Sequence, residues 1–596
     1  MKSTLLSRRD LDFLLYEWLR VEELTKRQRF AEHSRDTFDG VLDLSEDLAE
    51  KYFAPHNKTS DAHEPTFDGQ RVTVIGEVGE ALQAFAQADL IGASMDEELG
   101  GAQLPVCVAQ AGFAYVSAAN VSTSGYLMLT VANANLISKF GDERQIESFV
   151  KPMLAGRFTG TMALSETQAG SSLADIVTRA EPRPDGSYRL FGAKMWISGA
   201  EHELNDNIVN LVLAKIPGGP AGTKGISLFI VPKYLVADDG SIGERNDVTV
   251  AGLNHKMGQR GLPNTVLNFG EGIHRPHGEA GAVGYLVGEP HRGLVYMFHM
   301  MNEARLAVGM GAVSLGYTGY LKSVEYARER PQGRVVKDPT TPQVPIVAHA
   351  DVKRMLLAQK AYVEGGLALG LYCTKLIDLQ RTAESAEEAE HVTDLLDILV
   401  PVAKSWPSQW CLEANSLAIQ VHGGYGYTHE YDVEQHYRDN RLNPIHEGTH
   451  GIQSLDLLGR KVTQRGGASL AELGRVVTAT VEQATATGGE TAELAGQLAA
   501  AWQRVLEVTA AMYATSDTEA TLANSAVYLE AFGHVVMAWI WLEQFLVADG
   551  QSGDFYDGKR QAARYFFRYE LPRTAPQLDL LATLDRTTLE MRDDWF

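Results

Sequence analysis

The segment "IHEGTHG", residues 445–451, places His446, Glu447 and His450 in the spacing His-Glu-x-x-His. On a helix that spacing sets two imidazoles one turn apart with a glutamate between them, the arrangement that holds zinc and activates water in metalloproteases. A stable helix is poorly specified here. Gly448 and β-branched Thr449 separate the histidines, and Pro444 stands just upstream. The longer zinc signature asks for Gly and His where Gln453 and Asp456 stand, although Glu472 is distant enough to act as a third ligand. No resident metal is expected, and Glu447 is read as a base in its own right.

Four other segments carry candidate groups. In "MALSETQAGSSLADIVTRA", residues 162–180, Ser165, Glu166, Ser171 and Ser172 surround Ala169 and Gly170, so hydroxyls and backbone N–H groups can converge on a ligand. A polar turn between helix and strand explains the same residues. In "AKMWISGAEHE", residues 193–203, side-chain alternation along a strand puts Trp196 and Ser198 on one face, where an indole could shield a planar ring and a hydroxyl could bond its edge. Core packing is the alternative for a lone Trp. In "NEARLAVGMGA" and "YARERPQGR", Arg305, Arg328, Arg330 and Arg334 are candidates for phosphate or carboxylate recognition, against the alternative of solvated surface arginines. In "LAIQVHGGYGYTHEYDVEQHYRDNR", Gly423, Gly424 and Gly426 permit a tight turn with close backbone approach.

The elements that must position these groups follow from periodicity. Residues 1 to about 160 read as mostly helical, as in "DERQIESFVKPMLAGRFTG". From about 160 to 290 the runs "GSYRLFGAKMWIS", "NIVNLVLAKI" and "GISLFIVPKYL" are β-rich and bounded by Gly, Pro and Asn. Helical stripes return from about 295. A segment from about 386 to 421 contains Pro401 and Pro407, which imply a kink or break, and a helical pattern restarts at about Asp432. A linker is expected at "TQRGGAS" around Gly466, with a further helical region running to Phe596. The class is α+β, without the alternating units of a doubly wound sheet. Neither a Gly-x-Gly-x-x-Gly nor a Walker A pattern is present, so a nucleotide cofactor would need another scaffold.

Bulk properties narrow the function. At 596 residues, 45% hydrophobic and 22% charged, the chain has the composition of a globular protein with several domains. Its net charge of −23 argues against nucleic-acid or anionic-membrane binding as the main activity. Cys107, Cys373 and Cys411 are too scattered for a disulfide framework, which fits a reducing cytosol. The N-terminal "MKSTLLSRRDLDFLLYEWLRVEEL" has Arg8, Arg9, Asp10 and Asp12 where a secretory signal needs an apolar run, and reads as an amphipathic helix capped by Ser7. "AFGHVVMAWIWLEQFLVA", with His534, Glu543 and Gln544, reads as a buried helix, so no integral membrane segment is expected.

Taken in order, these motifs resemble the acyl-CoA dehydrogenase family over about residues 40–465. The most specific piece is "QVHGGYGYTHEYDVEQHYRDNRLNPIHEGTHGIQ". Within that family the chain is most similar to bacterial forms of about 600 residues with an extra C-terminal helical domain, which act on fatty acyl-CoA or methylthiopropanoyl-CoA-like thioesters. The resemblance implies an N-terminal extension (1–40), an N-terminal helical domain (41–160), a central β domain (161–290), a helical bundle with the base (291–465) and an additional helical domain (466–596).

It implies FAD as cofactor, bound without a Rossmann fingerprint, and α,β-dehydrogenation of an acyl-CoA to the trans-2-enoyl-CoA. Glu447 would remove the α-proton while the β-hydrogen leaves as hydride to flavin N5, with electrons passing to electron-transfer flavoprotein. Carried over by position, Leu164, Ser165, Trp196 and Ser198 would contact the flavin. Ser171 would lie between FAD and CoA, and Arg330, Gln420 and Gly424 would reach the cofactor from a second subunit of a cytoplasmic homodimer. Thr449 would sit by the cofactor, and Asn302, Arg305, Glu447 and Gly448 would line the substrate site. The chain departs from the family pattern at Thr167 and Ser172 (often Pro and Asp), at His446 (often Tyr) and at Gly451 (often Gln). His446 is expected to tune the base or line the acyl pocket.

Two relatives offer rival roles. An acyl-CoA oxidase shares base and flavin but hands electrons to oxygen; the terminal "RDDWF" is not a peroxisomal signal. A flavin-containing DNA-binding relative of the alkylation response needs a basic C-terminal region, whereas from Arg465 onward acidic residues outnumber basic ones, eighteen to ten.

Overall fold

The computed structural model describes residues 3–335, 338 and 340–596; Met1 and Lys2 of the N-terminal reading lie outside them. The backbone divides into two compact units, Arg35–Ala304 and Met1–Ser34 with Arg305–Phe596.

In the first unit, the β-rich runs form an eight-stranded sheet. Its strands are β1 (Phe158–Ala163), β2 (Arg179–Pro182), β3 (Tyr188–Ser198), β4 (Asn207–Lys215), β5 (Ile226–Pro232), β6 (Val248–Leu253), β7 (Asn264–Phe269) and β8 (Ala282–Leu286). Across the sheet the order is β6-β7-β3-β8-β5-β4-β1, with β2 pairing β3 and β4. β1 runs parallel to β4, Phe158 opposite Asn207, and β4 runs antiparallel to β5. β4 is buried along all but its last residue, which explains its nearly unbroken apolar run. Leu190, Val212, Phe229, Val231, Leu267 and Phe269 form one core beneath the sheet, each such side chain contributing about 1.5–3 kcal/mol by leaving water.

Helix α1 (Val121–Phe140), capped by the Asn120 side chain, is fastened to this sheet by a buried amide. Asn133 Nδ2 donates to Thr161 O at 3.0 Å and Val209 O at 2.9 Å. Gly160 is required opposite it, because a Cβ there would collide with the Asn133 side chain.

The second unit is helical: α2 (Gly293–Glu329) from Arg305 on, α3 (Ala350–Arg381), α4 (Ala386–His422), α5 (His450–Asp456), α6 (Ala468–Thr487), α7 (Gly489–Tyr513), α8 (Ser525–Ala548) and α9 (Asp554–Tyr565). Pro401 and Pro407 do not break α4, which is helical throughout. A proline inside a helix costs about 3 kcal/mol through the lost hydrogen bond and ring clash. Every residue from Ile398 to Ser408 is buried, so packing of Leu399, Val400, Val402 and Trp406 offsets that cost. Pro407 has no N–H for the Ala403 carbonyl, and at that carbonyl α2 comes so close that a Cβ at Gly309 would collide with it. α8, the apolar stretch in the sequence, is the one helix among the described residues long and apolar enough to cross a membrane. The protein buries 83% of its apolar window.

Residues 3–34 belong to this helical unit. Ser7 Oγ accepts from Asp10 N–H and caps helix Arg8–Asp12 as expected. Trp18 Nε1 donates to Glu543 on α8 at 3.2 Å, and Arg27 forks onto Glu388 of α4. Beneath them Lys559 of α9, fully enclosed, pairs with Asp10 and with Glu364 of α3, the latter at 2.9 Å.

Candidate active site

In the first unit, β3 departs from strict alternation where the chemistry was expected. Thr265 pairs with Ile197 and Leu267 with Lys194, so β3 spends one more residue than β7 on this interval. The extra residue is accommodated as a β-bulge in which Trp196 takes φ +68°. That left-handed region suits glycine and is strained for an indole-bearing residue, at about 1–3 kcal/mol. The consequence is that Trp196 is 60% exposed. Ser198 keeps its place in the ladder, its Oγ accepting from Asn264 Nδ2 at 3.2 Å. The strict period-two alternation expected between Trp196 and Ser198 is therefore interrupted by a bulge on this strand. Trp196→Gly should raise the melting temperature slightly by removing the strain while lowering the flavin retained after gel filtration, read from the visible-to-280-nm absorbance ratio.

Beside the bulge, the loop after β1 is held from below. Glu166 does not face a ligand; it is 3% exposed and its carboxylate accepts from Val177 N, Thr178 N, Thr178 Oγ1 and Lys194 Nζ. Lys194, fully buried on the bulged strand, also donates to Leu164 O at 2.9 Å. The pair is asymmetric. Burial opposes the charge on Glu166, but Lys194, Thr178 and Val177 overcome it and hold the carboxyl down at about 2, whereas burial outweighs attraction for the Lys194 ammonium and brings it to about 8. Leu164 and Ser165, half-buried, and exposed Ser171 and Ser172 are presented by this anchored loop, with Ser165 O accepting from Met195 N and Ser172 Oγ donating to Asp175.

A pH dependence follows. A carboxyl whose folded pKa lies below its ordinary 4.5 contributes stability above that value and loses it as pH falls toward about 2. The difference in urea midpoint between the wild type and Glu166→Gln should therefore shrink over that interval.

In the second unit, the segment between helix Val433–Asn440 and α5 carries Glu447. Glu447 and Gly448 both have left-handed backbone, φ 51° and 87°, and helix begins only at His450. His446 and His450 thus do not share a helix face. Thr449 caps α5, its Oγ1 accepting from Ile452 N at 3.2 Å. A side chain at Gly448 would strike Gln453, whose Nε2 donates to Glu447 O at 3.1 Å. Among the described residues, no protein group accepts from the N–H of Glu447 or Gly448.

Half-buried Glu447 has its carboxyl raised above the ordinary range by desolvation, an effect opposed by the cations of Lys404 and then Arg305. Arg305 is 3% exposed and donates to Asp456 at 2.8 Å, so its guanidinium is committed within the protein. His450 is depressed to about 4 by desolvation, then by Lys404 and Arg441, and both its ring nitrogens are buried without a protein partner. His446 Nε2 contacts Asn443 Oδ1 at 3.1 Å.

A further patch of this unit gathers Arg330, Gln420 and Gly424. The Arg330 guanidinium lies 5.5 Å from the centre of the Tyr425 ring, and Gln420 and Gly424 are exposed at the end of α4 and in the turn that follows. A Cβ at Gly424 would meet nothing, whereas at Gly426 it would collide with Ile419 O, so Gly426 makes the turn and Gly424 leaves open space. Of the other candidate arginines, Arg328 is exposed, and exposed Arg334 donates to Thr341 O. Asn302 lies half-buried on α2, in the first unit.

Lys194 and Lys404 were not singled out from sequence, and Asp456 was noted there only against the zinc signature. A signal existed for Lys404: it is the one charge within the apolar run "ILVPVAKSWPSQW" of α4.

Comparison with known proteins matches four family models: "acyl-CoA dehydrogenase, N-terminal domain" at 39–157, "middle domain" at 161–271, "C-terminal domain" at 291–462, and "acetyl-CoA dehydrogenase C-terminal like" at 473–592. The chain is 34% identical over 527 residues to 3-methylmercaptopropionyl-CoA dehydrogenase of Ruegeria pomeroyi, covering 88% of this chain and 87% of that one. It is 32% identical over 612 residues to the broad-specificity linear acyl-CoA dehydrogenase FadE5 of Mycobacterium tuberculosis, covering 99% of each. In fold it is similar to an acyl-CoA dehydrogenase complexed with FAD from Bacillus anthracis, with TM-score 0.74 and 20% identity over 98% of this chain and 93% of that one.

Proposed function

The chain belongs to the acyl-CoA dehydrogenase family, and from that premise we propose that it oxidises a linear saturated acyl-CoA to the trans-2-enoyl-CoA with Glu447 as the base. It is an oxidoreductase of the FAD-dependent type. The observation that carries the assignment of the base is the setting of Glu447: a desolvated carboxyl of raised proton affinity, on strained left-handed backbone, beside two buried cations.

The residues present fit FAD. Trp196 offers an exposed indole on the surface that also carries Ser198 and the anchored loop with Leu164, Ser165 and Ser171. His450 has two buried nitrogens in need of partners beside Thr449. Arg330, Gln420 and Gly424 form a cationic, open patch suited to a diphosphate, which we assign to the FAD of a second copy in a homodimer. FAD, when bound, accepts the β-hydrogen as a hydride.

The chain's own work is acid–base and electrostatic. Glu447 takes the α-proton as the C–H bond breaks and the α,β double bond forms. Its unclaimed backbone N–H is available to the thioester oxygen on which negative charge develops. Arg305, held by Asp456, and Lys404 keep positive charge beside the carboxylate, while Asn302 and Gly448 complete our assignment of the substrate site. We assign the segments 1–40, 41–160, 161–290, 291–465 and 466–596 as extension, helical, β, bundle and additional helical domains. Electron-transfer flavoprotein is the acceptor and the cytoplasm the location in this reading, with fatty-acid β-oxidation as the role.

Anaerobic mixing of the yellow holoenzyme with saturated acyl-CoAs from butanoyl to octadecanoyl, and with methylthiopropanoyl-CoA, should bleach the flavin absorbance and identify the preferred chain. Protein that stays colourless after reconstitution with FAD would count against the assignment.

A further inference from the structure

We propose that Lys404 is a positioning residue for the base: from the interior of α4 its ammonium ties down the carbonyls on either side of Glu447 and fixes where that carboxylate and its backbone N–H point. The inference rests on Glu447 being the base. Lys404 is 0% exposed, and its Nζ donates to Asn443 O at 2.8 Å and Gly448 O at 2.7 Å. A buried ammonium ordinarily sits against a carboxylate, because desolvating a charge is costly unless it is paired. Here both bonds go to backbone carbonyls five residues apart, and Glu447 lies between them.

The loop needs such a tie. Neither Glu447 nor Gly448 is in helix or strand, and both hold left-handed backbone that an unrestrained glutamate would leave. The side-chain restraints at Asn443 and Gln453 hold one end each. Asn443 Nδ2 donates to Asn440 Oδ1, which in turn donates through its own Nδ2 to Asn415, while Gln453 holds Glu447 O. Lys404 bonds a backbone carbonyl on each side of the base, and so reinforces from α4 a turn that the backbone closes once through His450 N donating to Pro444 O at 3.2 Å.

The same cation acts on the proton affinity of Glu447. The charges that act on that carboxylate are Lys404 on α4 and Arg305 on α2, the latter paired with Asp456 of α5, which Arg460 shares; His450 of α5 is itself depressed by Lys404 and Arg441. Arg305 donates to Asp456, which also pairs with Arg460, whereas both hydrogen bonds of Lys404 go to carbonyls and none to a carboxylate. Removing Lys404 should raise the affinity of Glu447 for its proton.

The test uses holoenzyme of the wild type, Lys404→Met and Lys404→Gln with the fastest acyl-CoA of the butanoyl to octadecanoyl series. Both variants should lose about a hundredfold in kcat with KM within a few-fold, and the acid limb of the kcat profile should move up by about one pH unit. Lys404→Gln, which keeps an N–H donor, serves if Lys404→Met fails to hold FAD. Wild-type turnover should also decline above about pH 8 as the ammonium loses its proton. A variant within twofold of wild-type kcat and with its acid limb in place overturns the proposal, as does a wild-type rate level well past that pH. Glu447→Gln run alongside separates the two readings: if it still turns over, the base assignment fails, and if it is inert while the Lys404 variants are normal, only the positioning role fails.

Discussion

Glu447→Gln should leave a folded, yellow protein whose flavin is no longer bleached by any saturated acyl-CoA. Glutamine matches glutamate in size and keeps the backbone of the 443–450 segment, including the Lys404 bonds to Asn443 O and Gly448 O and the Gln453 bond to Glu447 O. What it removes is the group that, in the proposed mechanism, accepts the proton from carbon. A positioned general base contributes about 10²–10⁴-fold, and the α-hydrogen of a thioester is too weakly acidic to be lost to water in its place. Stopped-flow absorbance in the flavin band should therefore show at least about a thousandfold slower reduction, with FAD content and melting temperature close to wild type. Bleaching at more than a tenth of the wild-type rate would remove Glu447 from the mechanism. The raised proton affinity of Glu447 adds a sign: in the wild type, activity should fall as pH drops through a value above the ordinary carboxyl range, because the protonated form cannot act as a base.

The largest stability effect is expected at Lys559→Met. Lys559 is 1% exposed and joins three separate stretches of the helical unit, pairing with Asp10 near the N-terminus and Glu364 on α3, and donating to Gln544 on α8 at 3.0 Å. Asp10 also accepts from Tyr317 Oη at 2.9 Å, and Glu364 pairs with Lys360. Phe13, Trp541 and Phe555 lie around the ammonium, each ring centre within 6 Å. Methionine fills similar space but leaves two buried carboxylates, of which only Glu364 keeps a cation. Breaking one side of such a buried network costs about 3–5 kcal/mol. The helical unit should melt at clearly lower temperature, and proteolysis should cut first near residues 3–34, whose anchor is lost. A Lys559→Met protein with an unchanged denaturation midpoint would show that the network contributes nothing net.

Much of the architecture was legible because it depends on local periodicity. The runs "NIVNLVLAKI" and "GISLFIVPKYL" read as strands, and "DVKRMLLAQKAYVEGGLALGLYCTKLIDL" as helix, and so they fold. Of the kink or break that Pro401 and Pro407 imply, the break does not occur, because packing decides there over the local rule. The penalty at Pro401 and Pro407 is real, but the segment around them is buried on all sides and has no better place to put its apolar side chains. Trp196 is the converse case. Period two joined it to Ser198, yet the strand carries a bulge between Lys194 and Ile197 that no spacing rule announces. Glu166 was grouped with ligand-facing hydroxyls because its neighbours in sequence are polar, whereas its true partner, Lys194, is 28 residues away.

By itself the sequence determined the element order, the glycine turn before helix Val433–Asn440 and the presence of a carboxylate at Glu447, because these depend on residue type and short spacing. It also marked Gly448 and Thr449 as poor helix formers, and helix begins only at His450. Only the tertiary structure decided what surrounds that carboxylate. Desolvation, the Lys404 clamp on Asn443 O and Gly448 O, and the Arg305–Asp456 pair arise from residues 43, 142 and 9 positions away, brought together by helices whose packing no local pattern encodes. Proton affinity is a property of the field and solvent around a group, so the sequence could single out Glu447 as a candidate base while the fold set its proton affinity.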